Sequence, residues 1–265
     1  MGTGIYIKSD FFEDYDKYLH DPMGKLSFER LTHSGLKRSA MLKFLDEKKE
    51  DLCIDVIPHG TVQEIWDLYR KDMKAEMRWE RIGLTDRILD EVIVYCSEEL
   101  HRGEGKEKEY IDDAIVTYPY KYCSVHMRNE QFPESYRHLY IGNRVYYFTY
   151  YSLTDWWRSN VGDVVIYYSG SDKRELENDN FPPLFAIDFV VSENPYNYKS
   201  LAVDYNIAPK LPDKVYKRSW GKDNLKCVEK KFSEILTPEE AAKLLEEYIK
   251  KIWNDAFDPI RRDYE

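Results

Sequence analysis

The sequence has no long hydrophobic segment. No part of its 265 residues approaches the roughly 18 consecutive apolar residues that a membrane-spanning helix requires, so we expect no membrane partner. Residues 1–8 lack a basic leader followed by an apolar run, and the short apolar stretch at 5–7 is typical of an opening strand. These features predict a cytoplasmic protein.

Cysteine is scarce, and an excess of basic charge is absent. The four cysteines, Cys53, Cys96, Cys123 and Cys227, are far apart and include no CxxC pair. This spacing argues against a zinc site and predicts reduced, mostly buried thiols. The chain has 39 basic against 49 acidic residues, a net charge of -10. A field of this sign repels a polyanion and argues against duplex nucleic acid as a partner.

Motifs of nucleophilic catalysis and of the common phosphate-binding loop are absent as well. No serine lies in a GxSxG segment, and the histidines have no partners at catalytic spacing. The segment 103–106 reads Gly-Glu-Gly-Lys, which is not the GxxxxGK[ST] loop and is typical of a solvated turn. A hydrolase triad is therefore not indicated.

The first part of the chain alternates helical and strand patterns, which favours a small α/β unit with parallel strand pairing. The predicted elements are a helix at 36–48, a strand at 52–57, a long helix capped by Thr61, and a strand at 92–95. We assign residues 1–115 to an N-terminal α/β domain.

The second part consists of strands separated by turns, a pattern typical of antiparallel sheets. The predicted strands are 121–127, 137–140, 144–151, 164–168, 185–191 and 201–206, with a charged surface loop at 169–180. A final helix is predicted after Thr237, where Glu240 completes a capping box. Residues 116–265 are therefore predicted to form a largely antiparallel sheet domain with a C-terminal helix, which makes the chain α+β or α/β.

Two aspartates interrupt otherwise apolar strands. If these strands form a hairpin that is symmetric about Tyr196, Asp188 lies directly opposite Asp204, and Asn206 falls on the same face. Like charges in this position require a positive group between them, and two carboxylates with an amide oxygen suit Mg²⁺ or Mn²⁺. The alternatives are that either aspartate is exposed on an edge strand, or that a bulge breaks the register.

A second cluster follows the strand at 144–151. Arg158 offers a fork of donors that matches phosphate or carboxylate, and Asn160 offers a donor and an acceptor two residues later. Either side chain could orient an anionic substrate. The alternative is that Trp156 and Trp157 anchor a turn while Arg158 makes a structural ion pair.

Several further cations could reach a bound nucleotide. They are Lys106, Lys121, Arg128, Arg137 and Arg144. Most charges of this kind belong to a solvated surface, so their number alone does not indicate a site.

Three segments in order resemble the C-terminal catalytic half of ATP-grasp proteins, such as ribosomal-protein glutamate ligases and D-alanine ligases. They are Trp-Arg-Ser-Asn at 157–160, Ala-Ile-Asp-Phe at 186–189, and Val-Asp-Tyr-Asn-Ile-Ala-Pro at 203–209. The resemblance covers about residues 150–212. It implies that Asp188, Asp204 and Asn206 hold the metal, while Arg158 and Asn160 face phosphate or substrate as the catalytic residues.

The same resemblance implies an ATP-grasp-like fold in which the N-terminal α/β domain precedes the grasp. It implies nucleotide contacts from Lys106, Lys121, Arg128 and Arg144, with ATP and Mg²⁺ (or Mn²⁺) as cofactors. The implied activity is that of a carboxylate–amine ligase that proceeds through an acylphosphate. Its substrate would be a small molecule or peptide with a carboxylate and an amine. The chain also resembles the divergent ATP-grasp proteins of phage and bacterial accessory genomes.

Two other functions remain open at this stage. A metal-dependent nuclease also places an aspartate on one strand and an acidic-x-Lys pair on the next, but Asn206 occupies the lysine position and the net charge of -10 disfavours DNA. A non-catalytic nucleotide-binding or interaction protein could retain the same fold with tyrosine and tryptophan side chains at its surface.

Overall fold

The structure is a computed structural model. It describes residues 37–79, 91–97, 105–126, 134–155, 157–173, 181, 183–191, 200–206, 209, 211–220, 225–248 and 250. The predicted strand at 5–7, Arg128 and Trp156 lie outside these residues.

The described residues form a mixed α/β structure of two sheets and four helices. The helices are α1 (Arg38–Leu52), α2 (Val62–Trp79), α3 (Ile111–Thr117) and α4 (238–248), with a 3-10 turn at Phe232–Glu234. The first strands are β1 (Asp55–Val56), β2 (His59–Thr61), β3 (Glu91–Tyr95), β4 (Lys106–Tyr110) and β5 (Tyr122–Val125). The later strands are β6 (Glu134–Ile141), β7 (Arg144–Ser152), β8 (Val164–Lys173), β9 (Leu184–Val191), β10 (Ser200–Asn206), β11 (Lys214–Trp220) and β12 (Leu225–Lys231).

The large sheet has eight strands in the order β1-β10-β9-β6-β7-β8-β11-β12. Its neighbours pair antiparallel except at β1–β10 and β8–β11. The predicted largely antiparallel sheet with a C-terminal helix is therefore confirmed. The predicted hairpin around 141–143 is confirmed too, because Ile141 pairs with Arg144 across a two-residue turn.

The small sheet has four strands in the order β2-β5-β3-β4, and every pair in it is antiparallel. The predicted parallel pairing of the N-terminal unit is therefore wrong. The connection between β3 and β4, residues 96–105, is shorter than the dozen or more residues that a parallel crossover needs. Strand β5 completes this sheet and β1 joins the large one, while the division of the chain at 115/116 stays a prediction.

Two helix starts follow the predicted capping chemistry. At α2, Glu64 N donates to Thr61 Oγ1 (3.2 Å) and Thr61 N donates to Glu64 Oε2 (2.7 Å). At α4, Glu240 N donates to Thr237 Oγ1 (3.2 Å) and Thr237 N donates to Glu240 Oε2 (3.0 Å). Both are reciprocal capping boxes, in which the side chains satisfy backbone amides that have no partner within the helix.

Two other predicted boundaries move. Helix α1 continues to Leu52, whose side chain is fully buried, and ends at Cys53 in the left-handed conformation (φ 51°). This shortens the predicted strand at 52–57 to β1.

The predicted charged loop at 169–180 is wrong over its first part. Strand β8 extends to Lys173, so Asp172 and Lys173 lie on an exposed stretch of strand.

Two hydrophobic clusters hold the sheets and helices together. The first joins α1, the small sheet and one face of the large sheet through Leu42, Leu45, Val92, Val94, Phe185 and Ile187. The second joins the other face of the large sheet to the 3-10 turn and α4 through Leu139, Ile141, Phe148, Ala186, Leu236 and Leu245. Alternate residues of β9 therefore enter different clusters, as the two-residue period of a strand requires.

Two further expectations concern the burial of the cysteines and the presence of a membrane-spanning helix. All four cysteines are free, but only Cys123 is buried, while Cys53 and Cys227 are exposed, so the prediction of mostly buried thiols is wrong. Among the residues that the structure describes, the helices are too short or too polar to cross a membrane.

Candidate functional site

A pocket of about 150 Å³ lies between the two sheets. Its walls come from β3, β4 and β5 of the small sheet, from β6, β9 and β10 of the large sheet, and from the loop at 157–160. Five of the residues that the sequence singled out line it: Lys106, Arg158, Asn160, Asp188 and Asp204. Side chains separated by up to 98 positions in sequence therefore meet in one place.

Asp188 lies on β9 directly opposite Asp204 on β10, as predicted. The register is not uniform, however, because Ala202 pairs with Phe189 and the ladder shifts between Ala202 and Asp204. A symmetric hairpin would have paired Ala202 with Val190 instead. A bulge at Val203 thus coexists with the predicted aspartate pair, since it restores the facing position of Asp204.

Arg137 on β6 neutralises Asp188. Arg137 Nε donates to Asp188 Oδ1 (2.6 Å) and Arg137 Nη2 donates to Asp188 Oδ2 (2.7 Å), so both carboxylate oxygens are engaged by one guanidinium. Asn206 Nδ2 also donates to Asp188 Oδ2 (3.3 Å). The guanidinium lies 5.0 Å from the ring centroid of Tyr150. A bidentate pair of this kind is among the strongest charge-assisted contacts in proteins.

Arg38 at the start of α1 neutralises Asp204. Arg38 Nη1 donates to Asp204 Oδ2 (3.0 Å), and the backbone N–H of Tyr205 donates to Asp204 Oδ1 (3.0 Å). Burial acts to raise the pKa of Asp204, but the positive charges of Arg38, Lys106 and Arg137 outweigh it and hold that pKa below its ordinary value. Asp204 is therefore a carboxylate at neutral pH.

Lys106 on β4 supplies a third positive charge from the small sheet. Burial, reinforced by repulsion from Arg38, lowers the pKa of Lys106 to about 8, although Asp204 and Asp188 act in the opposite direction. Its ammonium lies 5.8 Å from the ring centroid of Tyr95. Three cationic side chains, Arg38, Arg137 and Lys106, thus lie around the two aspartates, and of these Lys106 lines the pocket.

Arg158 is held in place by its own loop. Arg158 Nε and Nη2 donate to Asp155 Oδ2 (2.9 and 2.6 Å), and Asp155 Oδ1 accepts from the backbone N–H of Trp157 (3.0 Å) and of Arg158 (2.8 Å). The structural ion pair considered above is therefore present. Because Arg158 and Asn160 also line the pocket, the same ion pair fixes the guanidinium at its wall.

The donor set of Asp188, Asp204 and Asn206 can be tested against a magnesium ion. Among the described residues, no group of three or more His, Cys, Asp or Glu side chains is gathered, so the protein does not form a complete cation cage there. Mg²⁺ is commonly bound by only one or two carboxylates together with substrate phosphates and water. Asp188 and Asp204 match such an ion in the type and number of their donor groups, while their oxygens accept from Arg137, Arg38 and the backbone N–H of Tyr205 in this structure.

Glu91 and His126 form a further polar pair at the pocket wall. Glu91 accepts from Lys108 Nζ at Oε1 (3.0 Å) and contacts His126 Nδ1 at Oε2 (3.2 Å). The His126 ring lines the pocket and meets Trp157 edge to face, with 6.2 Å between the ring centroids.

The other predicted nucleotide contacts lie elsewhere. Lys121 Nζ donates to the backbone oxygen of Cys96 (3.0 Å) at an exposed position, and Arg144 is exposed at the β6–β7 turn. Neither side chain is among the residues that line the pocket. The predicted roles of these two residues in nucleotide binding are therefore not supported by their positions in the described part of the chain.

Two residues of the site carry signals that the sequence reasoning did not use. Arg38 places a positive charge in the first turn of a helix, where the helix dipole disfavours it, and it is 3% exposed. Arg137 was considered only as one of several cations, but it shares its strand face with the buried Leu139 and Ile141. Both residues share one sequence signal: each is a charged residue at a position where the local pattern disfavours charge.

Comparisons with known proteins add little. No family model matches the chain, and no curated protein matches it. Among solved structures, the chain is similar to the macrocyclase MdnC bound with precursor peptide MdnA from Microcystis aeruginosa MRC. The TM-score is 0.35 and the identity is 11%, over 81% of this chain and 61% of that chain. A similarity of this size does not decide the fold family or the activity.

Proposed function

We propose that the protein is an ATP- and Mg²⁺-dependent carboxylate–amine ligase with an ATP-grasp-like fold. Its substrates would be a small molecule or peptide that carries a carboxylate, and an amine. The observation that carries the proposal is the meeting of Lys106 from the small sheet with Asp188 and Asp204 from the large sheet in one pocket. A nucleoside triphosphate needs cations for its phosphates and carboxylates for its metal ion, and the pocket offers both.

Each group of residues has a distinct part in this proposal. Asp188 and Asp204 would hold the metal ion, which when bound neutralises and polarises the phosphate oxygens. Lys106 and the guanidinium of Arg158 would face the phosphate chain or the carboxylate substrate, since both line the pocket with fixed positive charge. Asn160 would orient the substrate through its amide.

The proposed chemistry needs no side-chain nucleophile, in agreement with the sequence. A substrate carboxylate oxygen bonds to the terminal phosphorus as the bond to ADP breaks, which gives an acylphosphate. The amine nitrogen then bonds to the acyl carbon as inorganic phosphate leaves, and one proton is released. Positioning of the reactants and neutralisation of the transferred charge are the contributions that the pocket would make.

Thermal unfolding with ATP, in the presence and absence of Mg²⁺, tests the proposal directly. A ligand that binds only the native state raises the melting temperature. We expect the wild type to be stabilised by ATP with Mg²⁺, and we expect the increment due to Mg²⁺ to be lost in Asp204→Asn. Absence of any shift in the wild type would contradict the nucleotide site.

Release of ADP separates the ligase from a nucleotide-binding protein without turnover. The stabilised wild type is incubated with ATP, Mg²⁺ and a mixture of amino acids and short peptides that supply carboxylates and amines. Formation of ADP that depends on this mixture supports the ligase. Stabilisation without ADP formation across such mixtures favours the non-catalytic alternative.

A further inference from the structure

We propose that Lys106 is a site of covalent capture, at which its amine forms an imine with a small aldehyde or ketone that enters the pocket. The amine nitrogen bonds to the carbonyl carbon, and the carbonyl oxygen leaves as water with the two amine protons. No oxidant, reductant or metal ion takes part. The site goes beyond the proposed ligase, because this reaction uses neither ATP nor Mg²⁺.

The backbone holds Lys106 beside the pocket. Lys106 is the first residue of β4 and lies directly opposite Tyr95 of β3. The preceding Gly105 has a φ of 64°, and its backbone oxygen accepts from the backbone N–H of Ser97 (3.2 Å). The side chain is half-buried and lines the pocket. The lysine is therefore placed by a paired strand with a fixed start.

A comparison with Lys108 shows what Lys106 lacks. Lys108 lies two residues further along β4, on the same face of the strand, and its Nζ donates to Glu91 Oε1 (3.0 Å). Among the residues that the structure describes, Lys106 forms no hydrogen bond and no ion pair. Its ammonium lies 5.8 Å from the ring centroid of Tyr95, a contact that attracts a cation but offers no oxygen or nitrogen acceptor.

The surroundings favour the neutral amine, which has the lone pair that attacks a carbonyl carbon. Five apolar side chains line the same pocket: Ile57, Ile93, Val125, Val190 and Val203. Burial, with repulsion from Arg38 and Arg158, lowers the pKa of Lys106 to about 8 against the opposing effect of Asp204 and Asp188. At pH 7 an amine with this pKa is about one-tenth neutral, against about one part in 2,500 for an ordinary lysine.

The size of the pocket limits the carbonyl compound. Its volume is about 150 Å³, and a cavity of about this volume holds a molecule as large as benzene. The apolar side chains of the lining suit a short hydrocarbon chain. We therefore expect a small aldehyde or ketone with an apolar chain, and butyraldehyde is a suitable probe.

The experiment is reductive alkylation of the native full chain with a limiting amount of butyraldehyde at pH 7. Sodium cyanoborohydride in the reaction reduces each imine to a stable secondary amine, and mass spectrometry of digested protein measures the rate at each lysine. We expect Lys106 to react on the order of 10-fold or more faster than Lys108, because a larger fraction of its amine is neutral. We expect the same lead over the exposed Lys217 of β11.

The same reaction in denaturant is the matched control. Lys106 and Lys108 are each followed by a glutamate, so the unfolded chain gives them nearly the same local environment. We expect their rates to become equal. A lead of Lys106 that persists in denaturant would assign its reactivity to the local sequence and overturn the inference.

The native reaction contains the other decisive outcome. If Lys217 is alkylated and Lys106 reacts no faster than Lys217 and Lys108, the amine is not a capture site and the inference is wrong. This result is separate from that of the proposed function, since thermal unfolding with ATP and Mg²⁺ contains no aldehyde. Either proposal can therefore fail while the other stands.

Discussion

Asp188 lies directly opposite Asp204 in the ladder between β9 and β10, yet each carboxylate is bound by a different arginine. Like charges in facing positions destabilise a sheet, so the strands require compensating positive charge. Arg137 and Arg38 supply it from the neighbouring strand β6 and from helix α1. The site is therefore part of the fold, because these ion pairs connect four elements, β6 with β9 and α1 with β10.

Arg137→Met tests the structural share of these pairs. Removal of one partner of a buried ion pair leaves a charge without compensation, and we expect the free energy of unfolding to fall by about 3 kcal/mol. The double variant Arg137→Met with Asp188→Asn should recover much of this loss. Urea unfolding of the wild type, both single variants and the double variant measures the coupling. Additive losses would show that the pair does not act as a unit.

The burial of His59 makes the stability of the protein depend on pH. Burial lowers the pKa of His59 from its usual value of 6.5, although Asp46, whose Oδ2 lies 3.1 Å from His59 Nε2, acts to raise it. Between the lowered pKa and 6.5 the unfolded chain binds more protons than the native protein, so stability decreases as the pH falls through this range.

We therefore expect the free energy of unfolding of the wild type to fall more between about pH 7 and pH 5 than that of His59→Gln. Chemical denaturation of both proteins at several pH values measures the difference. The carboxylates that titrate in the same range are common to both proteins and cancel in the comparison. A parallel pH dependence would show that His59 does not titrate differently in the folded state.

Gly142→Ala is expected to destabilise the β6–β7 turn. Gly142 has a φ of +55°, and a Cβ added to it would lie 2.2 Å from the backbone oxygen of Leu244 in α4. Both the backbone conformation and the close approach of the helix disfavour a side chain, and we expect a loss of about 2 kcal/mol. Thermal or urea unfolding measures it. Gly170→Ala is the comparison: its φ of +148° also disfavours a side chain, but no atom lies within 4 Å of a Cβ there, so the difference between the two losses measures the close approach of Leu244.

Thiol labelling of the native protein should separate the cysteines. Burial raises the pKa of Cys123 to about 12, so its thiolate is essentially absent at neutral pH. Cys53 and Cys227 are exposed and should react with iodoacetamide first, as mass spectrometry of digested protein would show. Early modification of Cys123 would mean that β5 opens readily. In denaturant all four thiols should react.

The sequence predicts five strands of the large sheet, β6 to β10, because each is marked by apolar residues and by a turn, whereas it does not predict β11 and β12. The pairing of Asp188 with Asp204 follows from the same local signals. The small sheet is harder, since its strand order depends on contacts between distant segments such as β2 and β5, which no local pattern encodes. For this reason the predicted parallel pairing of the small sheet is wrong.

The residues of the site likewise divide into those that the sequence located and those that only the fold reveals. Arg158 and Asn160 were proposed from the chemistry of their segment, and both line the pocket. Lys106 was proposed as a nucleotide contact together with Lys121, Arg128 and Arg144, and it lines the pocket as well. Arg38 was not proposed, because its partner Asp204 lies 166 positions away and only the folded chain brings them together. Lys121 and Arg144 were proposed on the same grounds as Lys106 but do not line the pocket, because only the folded chain determines which cation reaches it.

Because of the bulge at Val203, the position of Asp204 in the pocket depends on the number of residues that precede it in β10. Upstream of it the ladder runs in a register that, if continued, would set Val203 against Asp188 and turn Asp204 to the opposite face of the sheet. The single inserted residue reverses that alternation. Deletion of Val203 would remove this extra residue, so Asp204 would follow Ala202 directly and would still face Asp188 in a regular ladder. Closure of the bulge with Val203 retained would instead set Val203 against Asp188 and separate the two aspartates.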